Sequence, residues 1–241
     1  MRHTIIYLLI LPVLMAAASS CDDGLINEEY ETSVDGQPAR VQGTLSGADT
    51  WAEGYTLALA GFEPNSEYAS IIRYISRSTS GDIDVVMSGI PASIASLELC
   101  VLNRIRQRIY TFAEVRREQF PTNADTIRFD FGRVRASMFE AIQGKVFTTT
   151  CANCHGASNR AAANLYLTEG RSYAALVGQP SQKVDGAQLV EPGDSAQSIL
   201  HRALFTSLSR EQQWHYDHTS EITDTRIQQM LDDWMEHGAQ Q

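Results

Sequence analysis

The sequence is poor in cysteine and in basic residues, and it contains no long hydrophobic run. Four cysteines in 241 residues are too few for a disulfide scaffold, and a chain of this length buries a core without one. The 19 basic residues are outnumbered by 29 acidic ones, which gives a net charge of −10. We therefore expect no nucleic-acid partner, because such proteins normally carry a basic surface. The remaining composition is typical of one or two globular domains.

The longest apolar run lies near the start of the chain, over residues 5–18. Its fourteen residues fall short of the ~20 that a membrane-spanning helix needs. The run follows Arg2 and His3 and ends in small residues, which is the pattern of a secretory signal peptide. We predict that residues 1–20 are this signal and that the rest of the chain is exported to the bacterial cell envelope.

Cys21 directly follows Ala18, Ser19 and Ser20, and this arrangement resembles the bacterial lipobox, although Ala18 stands where leucine is usual. The resemblance implies that Cys21 is lipidated and holds the protein on a membrane, facing the periplasm or the cell surface. The alternative is ordinary cleavage near Ala18 or Ser20, which leaves Cys21 as a free thiol. Residues 21–38 are acidic and lack an apolar period, which predicts a lipid-anchored flexible linker.

Residues 39–135 alternate between apolar and polar side chains, with turn signals between short runs. Clear examples are Tyr55 to Leu59, Ile83 to Met87 and Ile127 to Phe131. This period predicts an antiparallel β-sandwich of about six or seven strands. Leu97 to Phe112 reads as one strand, with Arg104, Arg106 and Arg108 on one face and Cys100 as a buried structural thiol. The region contains no paired carboxylates, phosphate loop or nucleophile elbow.

From Ala136 onward the apolar period becomes helical. One helix is predicted around Met138 to Val146, a short one around Tyr173 to Val177, a third capped by Asp194, and a last one over Ile227 to Met235. The predicted fold class is therefore α+β with two domains. An antiparallel β-sandwich over residues 39–135 is followed by a small all-α domain over residues 136–241.

Cys151-Ala152-Asn153-Cys154-His155 has the Cys-x-x-Cys-His spacing. Covalent haem attachment needs two thiols that meet the two vinyl groups on one porphyrin edge, and an imidazole immediately after them that binds the iron. The expected cofactor is one covalent haem c, held by Cys151, Cys154 and His155. The alternatives are a thioredoxin-type redox pair, half of a zinc site, or a disulfide.

On these residues, the segment 136–241 resembles the single-haem cytochrome c domains attached to bacterial exported lipoproteins. The likeness also rests on stretches at residues 162–167, 173–178, 190–200 and 231–239. Such domains normally supply the sixth iron ligand from a Met-Pro pair before the last helix, but no methionine lies between Ser207 and Arg226. That loop instead carries His215 and His218, and we predict His218 as the second axial ligand. The alternatives for this ligand are His215, a methionine (Met230 or Met235), or an open sixth position. Candidates for the walls of the haem crevice are Trp214, Tyr216 and Trp234.

The resemblance implies a membrane-tethered c-type cytochrome that transfers single electrons to or from a redox protein or respiratory complex of the envelope. It is expected to be an electron carrier rather than an enzyme. Two alternatives remain at the level of sequence. One is a haem-based ligand sensor or haem enzyme with an open sixth site, in which Asp217 or Glu221 acts near the bound ligand. The other is a β-sandwich binding module with an accessory cytochrome.

Overall fold

Strands precede helices in the computed structural model, which describes residues 36–122, 125–156 and 159–241. Within these residues seven strands form two sheets, of order β4-β1-β7 and β3-β2-β5-β6. All pairs are antiparallel except β1 with β7, which are parallel. The strands are β1 (Gln37–Ser46), β2 (Tyr55–Phe62), β3 (Ala69–Tyr74), β4 (Gly81–Ile90), β5 (Ser96–Asn103), β6 (Arg108–Arg116) and β7 (Ile127–Arg135).

The two sheets enclose one apolar core between them. Val41 of β1 pairs with Val85 of β4 and with Phe129 of β7, and Leu59 of β2 pairs with Leu99 of β5. Alternate side chains of these strands point inward, as the sequence period predicts. The core cluster of buried residues includes Ala39, Val41, Leu45, Leu57, Leu59, Ile83, Met87, Leu97, Leu99, Val115, Ile127, Phe129 and Phe131.

Short helices follow the last strand. They are α1 (Met138–Ile142), a π-helical segment (Gln143–Cys151), α2 (Ala152–His155), α3 (Ser172–Leu176), α4 (Ile199–Phe205), α5 (Leu208–Glu211) and α6 (Thr225–Glu236). The predicted apolar faces are buried, as Phe139, Val146 and Trp234 illustrate. No helix among the described residues is long and apolar enough to cross a membrane.

The prediction of a separate small all-α cytochrome domain is wrong. The described residues form one compact unit, and Trp51, Tyr55 and Ile109 of the β region share a core cluster with Phe139 and Trp234. The physical reason is the size of the helices. With 4 to 12 residues each, they bury too little apolar surface against one another, so their apolar faces pack on the four-stranded sheet. Polar bonds reinforce this contact. The Trp51 Nε1–H donates to the Ala136 carbonyl at 2.7 Å, and the Tyr55 hydroxyl donates to Asp233 Oδ2 at 2.8 Å.

Leu97 to Phe112 is also not one strand. β5 ends at Asn103, and a turn that contains Arg106 with a φ of 62° leads into β6. Arg104 and Arg106 therefore lie in the turn, whereas Arg108 begins β6 and pairs with the buried Glu98 carboxylate at 2.6 Å. The three arginines do not share a strand face. Cys100 is fully buried, and burial raises the pKa of its thiol well above the usual range.

The signal peptide, Cys21 and most of the predicted linker lie outside the described residues. β1 begins at Gln37, so the last two residues of the predicted linker belong to a strand. The third predicted helix also starts later than expected. The N-cap of α4 is Ser198, while Asp194 Oδ1 accepts a bond from the Gln197 N–H in the preceding turn.

Candidate functional site

The Cys-x-x-Cys-His motif lies where the π-helical segment passes into α2. Cys151 ends the segment, and the following Ala152 N–H donates to the carbonyl of Phe147, five residues earlier. Gly156 directly follows the motif, and a Cβ there would lie 2.3 Å from the Ala152 carbonyl oxygen. Only glycine therefore permits this tight exit from α2. The three cysteines within the described residues are all free thiols.

His155 is fixed through both its ring and its backbone. Its Nδ1 lies 3.0 Å from the Ala162 carbonyl oxygen, and its own carbonyl accepts a bond from the Leu167 N–H at 2.8 Å. Because a carbonyl only accepts, Nδ1 carries the proton and Nε2 is left with a free lone pair. This tautomer is the one that metal-binding histidines commonly adopt. The Ala162 carbonyl is a contact that the sequence did not reveal.

The structure brings His218 opposite His155. The loop between α5 and α6 carries His218, and its ring centre lies 6.2 Å from that of His155 with the two planes inclined by 30°. Burial and the neighbouring His155 hold the pKa of His218 below its usual range. A neutral imidazole is the form that binds a metal. His215 is exposed.

Aromatic residues surround His218. The Tyr216 ring meets it edge-on at 5.0 Å, and Trp214 lies at 6.5 Å. The Tyr216 hydroxyl donates to the Glu221 carboxylate, which closes the loop around His218. The Nδ1 atom of His218 is buried and has no hydrogen-bond partner among the described residues.

The two motif thiols lie in different surroundings. Cys151 is partly buried, and burial together with Glu221 and Cys154 raises the pKa of its thiol to about 11. Cys154 is exposed. Cys151 is therefore almost wholly protonated at neutral pH. Because only the thiolate of a cysteine is reactive, we expect Cys151 to react slowly.

The remaining candidates belong to the core or lie away from the histidine pair. Met230 and Met235 are fully buried in α6 and form part of the core cluster shared with the sheet. Trp234 packs against Phe139 and donates from Nε1 to the Gln240 carbonyl, so it is a packing residue. These contacts account for all three side chains without a ligand.

The described residues offer a small set of side chains that could hold a cofactor. Within the described part of the chain, no three His, Cys, Asp or Glu side chains converge on a common metal position. Cys151, Cys154, His155 and His218 are the residues that would hold a c-type haem, the two thiols by covalent attachment and the two imidazoles by iron ligation. Comparison with protein-family models and with curated proteins gives no match for this chain.

Proposed function

We propose that this chain carries one covalent haem c, attached through Cys151 and Cys154 and ligated by His155 and His218. The observation that carries the proposal is the 6.2 Å separation of the two ring centres. His155 and His218 would each supply one imidazole nitrogen to an iron bound between them. The free Nε2 of His155, fixed by the Ala162 carbonyl, supports the same assignment.

The bound haem would supply one-electron exchange. The residues of the protein would bind the haem and orient its ligands. The Ala162 carbonyl fixes the His155 tautomer, and the Tyr216–Glu221 hydrogen bond closes the loop around His218. We propose an electron carrier rather than an enzyme, exported to the bacterial cell envelope and held on a membrane through Cys21. Its partner would be a redox protein or a respiratory complex of that envelope.

Haem staining after denaturing electrophoresis tests the attachment. The full chain, exported together with a haem maturation system, should give a stained band, and Cys151→Ala and Cys154→Ala should each abolish or strongly reduce it. Cys100→Ala is the matched control, because this buried thiol belongs to a separate cluster on the sheet. An unstained wild-type chain would refute the proposal.

Carbon monoxide binding separates the carrier from a haem sensor or haem enzyme. A carrier with two protein ligands should bind the gas slowly or not at all when reduced, whereas an open sixth position binds it at once. Membrane anchoring has its own test, because Cys21→Ser should release the protein into the soluble periplasmic or extracellular fraction. Unchanged membrane partitioning of that variant would place the anchor elsewhere.

A further inference from the structure

A buried amide side chain connects the π-helical segment to the loop that holds His155. Gln143 is 3% exposed, and every polar atom of its amide is engaged. Its Nε2 donates to Thr148 Oγ1 at 3.0 Å and to the Leu167 carbonyl at 3.2 Å, while its Oε1 accepts from the Ser172 hydroxyl. Burying an amide is costly unless its bonds are made. A purely packing role would be filled as well by leucine.

The bond to Leu167 leads directly to His155. The Leu167 N–H donates to the His155 carbonyl at 2.8 Å, while its own carbonyl accepts from Gln143. The same loop supplies the Ala162 carbonyl to His155 Nδ1. The loop 162–167 is therefore held at one end by the histidine and at the other by the Gln143 amide.

The bond to Thr148 depends on the π-helical geometry. In an α-helix each residue turns by about 100°, so side chains five apart point about 140° away from each other. A π-helix bonds residue i to residue i+5 and brings them closer to one face. Gln143 and Thr148 are five apart and bonded, so this contact forms in the π register and stabilises it up to Cys151.

We propose that Gln143 is a positioning residue for the Cys-x-x-Cys-His motif. Through Thr148 it holds the π register that sets where Cys151 and Cys154 project, and through Leu167 it holds the loop that orients His155. The effect of Gln143 on haem attachment rests on the proposed haem site. Its effect on the π-helical segment and on the loop 162–167 concerns contacts within the protein and is testable without haem.

Hydrogen exchange of the full chain, purified without haem, provides the first test. Gln143→Leu should reduce protection of the Leu167 amide about tenfold, because its loop loses a buried hydrogen bond. Ser172→Ala, which removes only one partner of the amide, should act in the same direction but less strongly. Thr50→Val is the control, since it deletes a buried bond to the Met138 N–H at the start of α1 and leaves the three partners of the Gln143 amide in place. Unchanged Leu167 protection in both test variants, or an equal loss in the control, would overturn the proposal.

Haem-loaded protein provides the second test. Gln143→Leu should lower the covalent haem per chain by severalfold and broaden the low-spin electron paramagnetic resonance signal, whereas Thr50→Val should change neither. Wild-type attachment and spectra in Gln143→Leu would also overturn the positioning role. A wild-type chain that takes up no haem would refute the proposed function. The hydrogen exchange of Leu167 would still test whether Gln143 holds the loop 162–167.

Discussion

The imidazole rings of His155 and His218 lie opposite each other, with centres 6.2 Å apart and planes inclined by 30°. His155 is the last residue of α2, directly after the motif cysteines, and its ring is held by the Ala162 carbonyl. His218 comes from a distant loop and is held among Tyr216 and Trp214. Two elements that are far apart in the sequence therefore bring the two imidazole rings together.

Replacing His218 should change the iron spin state. His218→Ala is expected to give a high-spin or water-ligated haem that binds carbon monoxide readily, because one strong-field imidazole is lost. His215→Ala is the matched control from the same loop, and its exposed ring should leave the low-spin spectrum unchanged. The wild-type potential should be low for a c-type site, since Met/His ligation raises it.

Optical and electron paramagnetic resonance spectra of the three proteins measure these outcomes. If His215→Ala alone became high-spin, the ligand would be His215. A wild-type absorption band from methionine ligation would exclude both histidines, and would require Met230 or Met235 to leave the core.

The side-chain period of the sequence predicts local elements well. Alternation locates β2, β4 and β7, and the helical stripe of Ile227, Met230 and Trp234 locates α6. The absence of a loop methionine selects His218, whose ring lies 6.2 Å from that of His155, and its role as an iron ligand stays a prediction. These features depend on residues close in sequence, or on one motif of fixed spacing.

Features that depend on tertiary contacts could not be predicted in this way. Nothing local in the sequence indicates that Tyr55 bonds Asp233, so the helical period alone predicts a separate domain. The turn at Arg106 breaks a run whose period continues through it. Gln143 is a polar residue within an apolar stripe. Its three hydrogen-bond partners, which explain why it is buried, are known only from the structure.

Tyr55→Phe should destabilise the whole described unit. The lost hydroxyl leaves the Asp233 carboxylate without this donor in a partly buried position, which costs about 1–3 kcal/mol. Tyr74→Phe is the control, because Tyr74 is 58% exposed. Urea unfolding followed by circular dichroism and tryptophan fluorescence should give one coincident transition. Two separate transitions would contradict a core shared by sheet and helices.

The motif thiols should differ in reactivity when the reduced chain lacks haem. Iodoacetamide should modify the exposed Cys154 first, and Cys151 much later. A pKa of about 11 at Cys151 lowers its thiolate fraction at neutral pH about three-hundredfold below that of a free cysteine, whose pKa is about 8.5. Glu221→Gln removes one negative neighbour and should speed the reaction of Cys151, as measured by mass spectrometry over time. Equal rates at both thiols would argue against the half-buried position of Cys151.

Gly144→Ala should destabilise the contact between β6 and the π-helical segment. A Cβ at this position would lie 2.1 Å from the Tyr110 hydroxyl oxygen and 2.7 Å from its Cζ. Accommodating it requires Tyr110 to move, which costs about 1–3 kcal/mol in a packed region. In the background of Tyr110→Leu the same glycine substitution should cost much less. A double-mutant cycle from chemical unfolding measures this difference, and strictly additive effects would contradict the contact.

Asp224 should make the stability of α6 depend on pH in the acidic range. It is the N-cap of α6 and accepts bonds from the Arg226 backbone N–H and guanidinium, and the guanidinium bonds hold the pKa of Asp224 below its usual range. The contribution of its charge is therefore complete above the unfolded pKa of about 3.9 and is lost as the pH falls through the folded-state value. Asp224→Asn keeps the cap but removes the charge, so it should cost about 0.5 kcal/mol near neutral pH, a small effect because the ion pair is partly exposed. Unfolding free energies of the two proteins should converge on acidification, whereas a difference that persists unchanged in acid would mean that the Asp224 charge does not stabilise the helix.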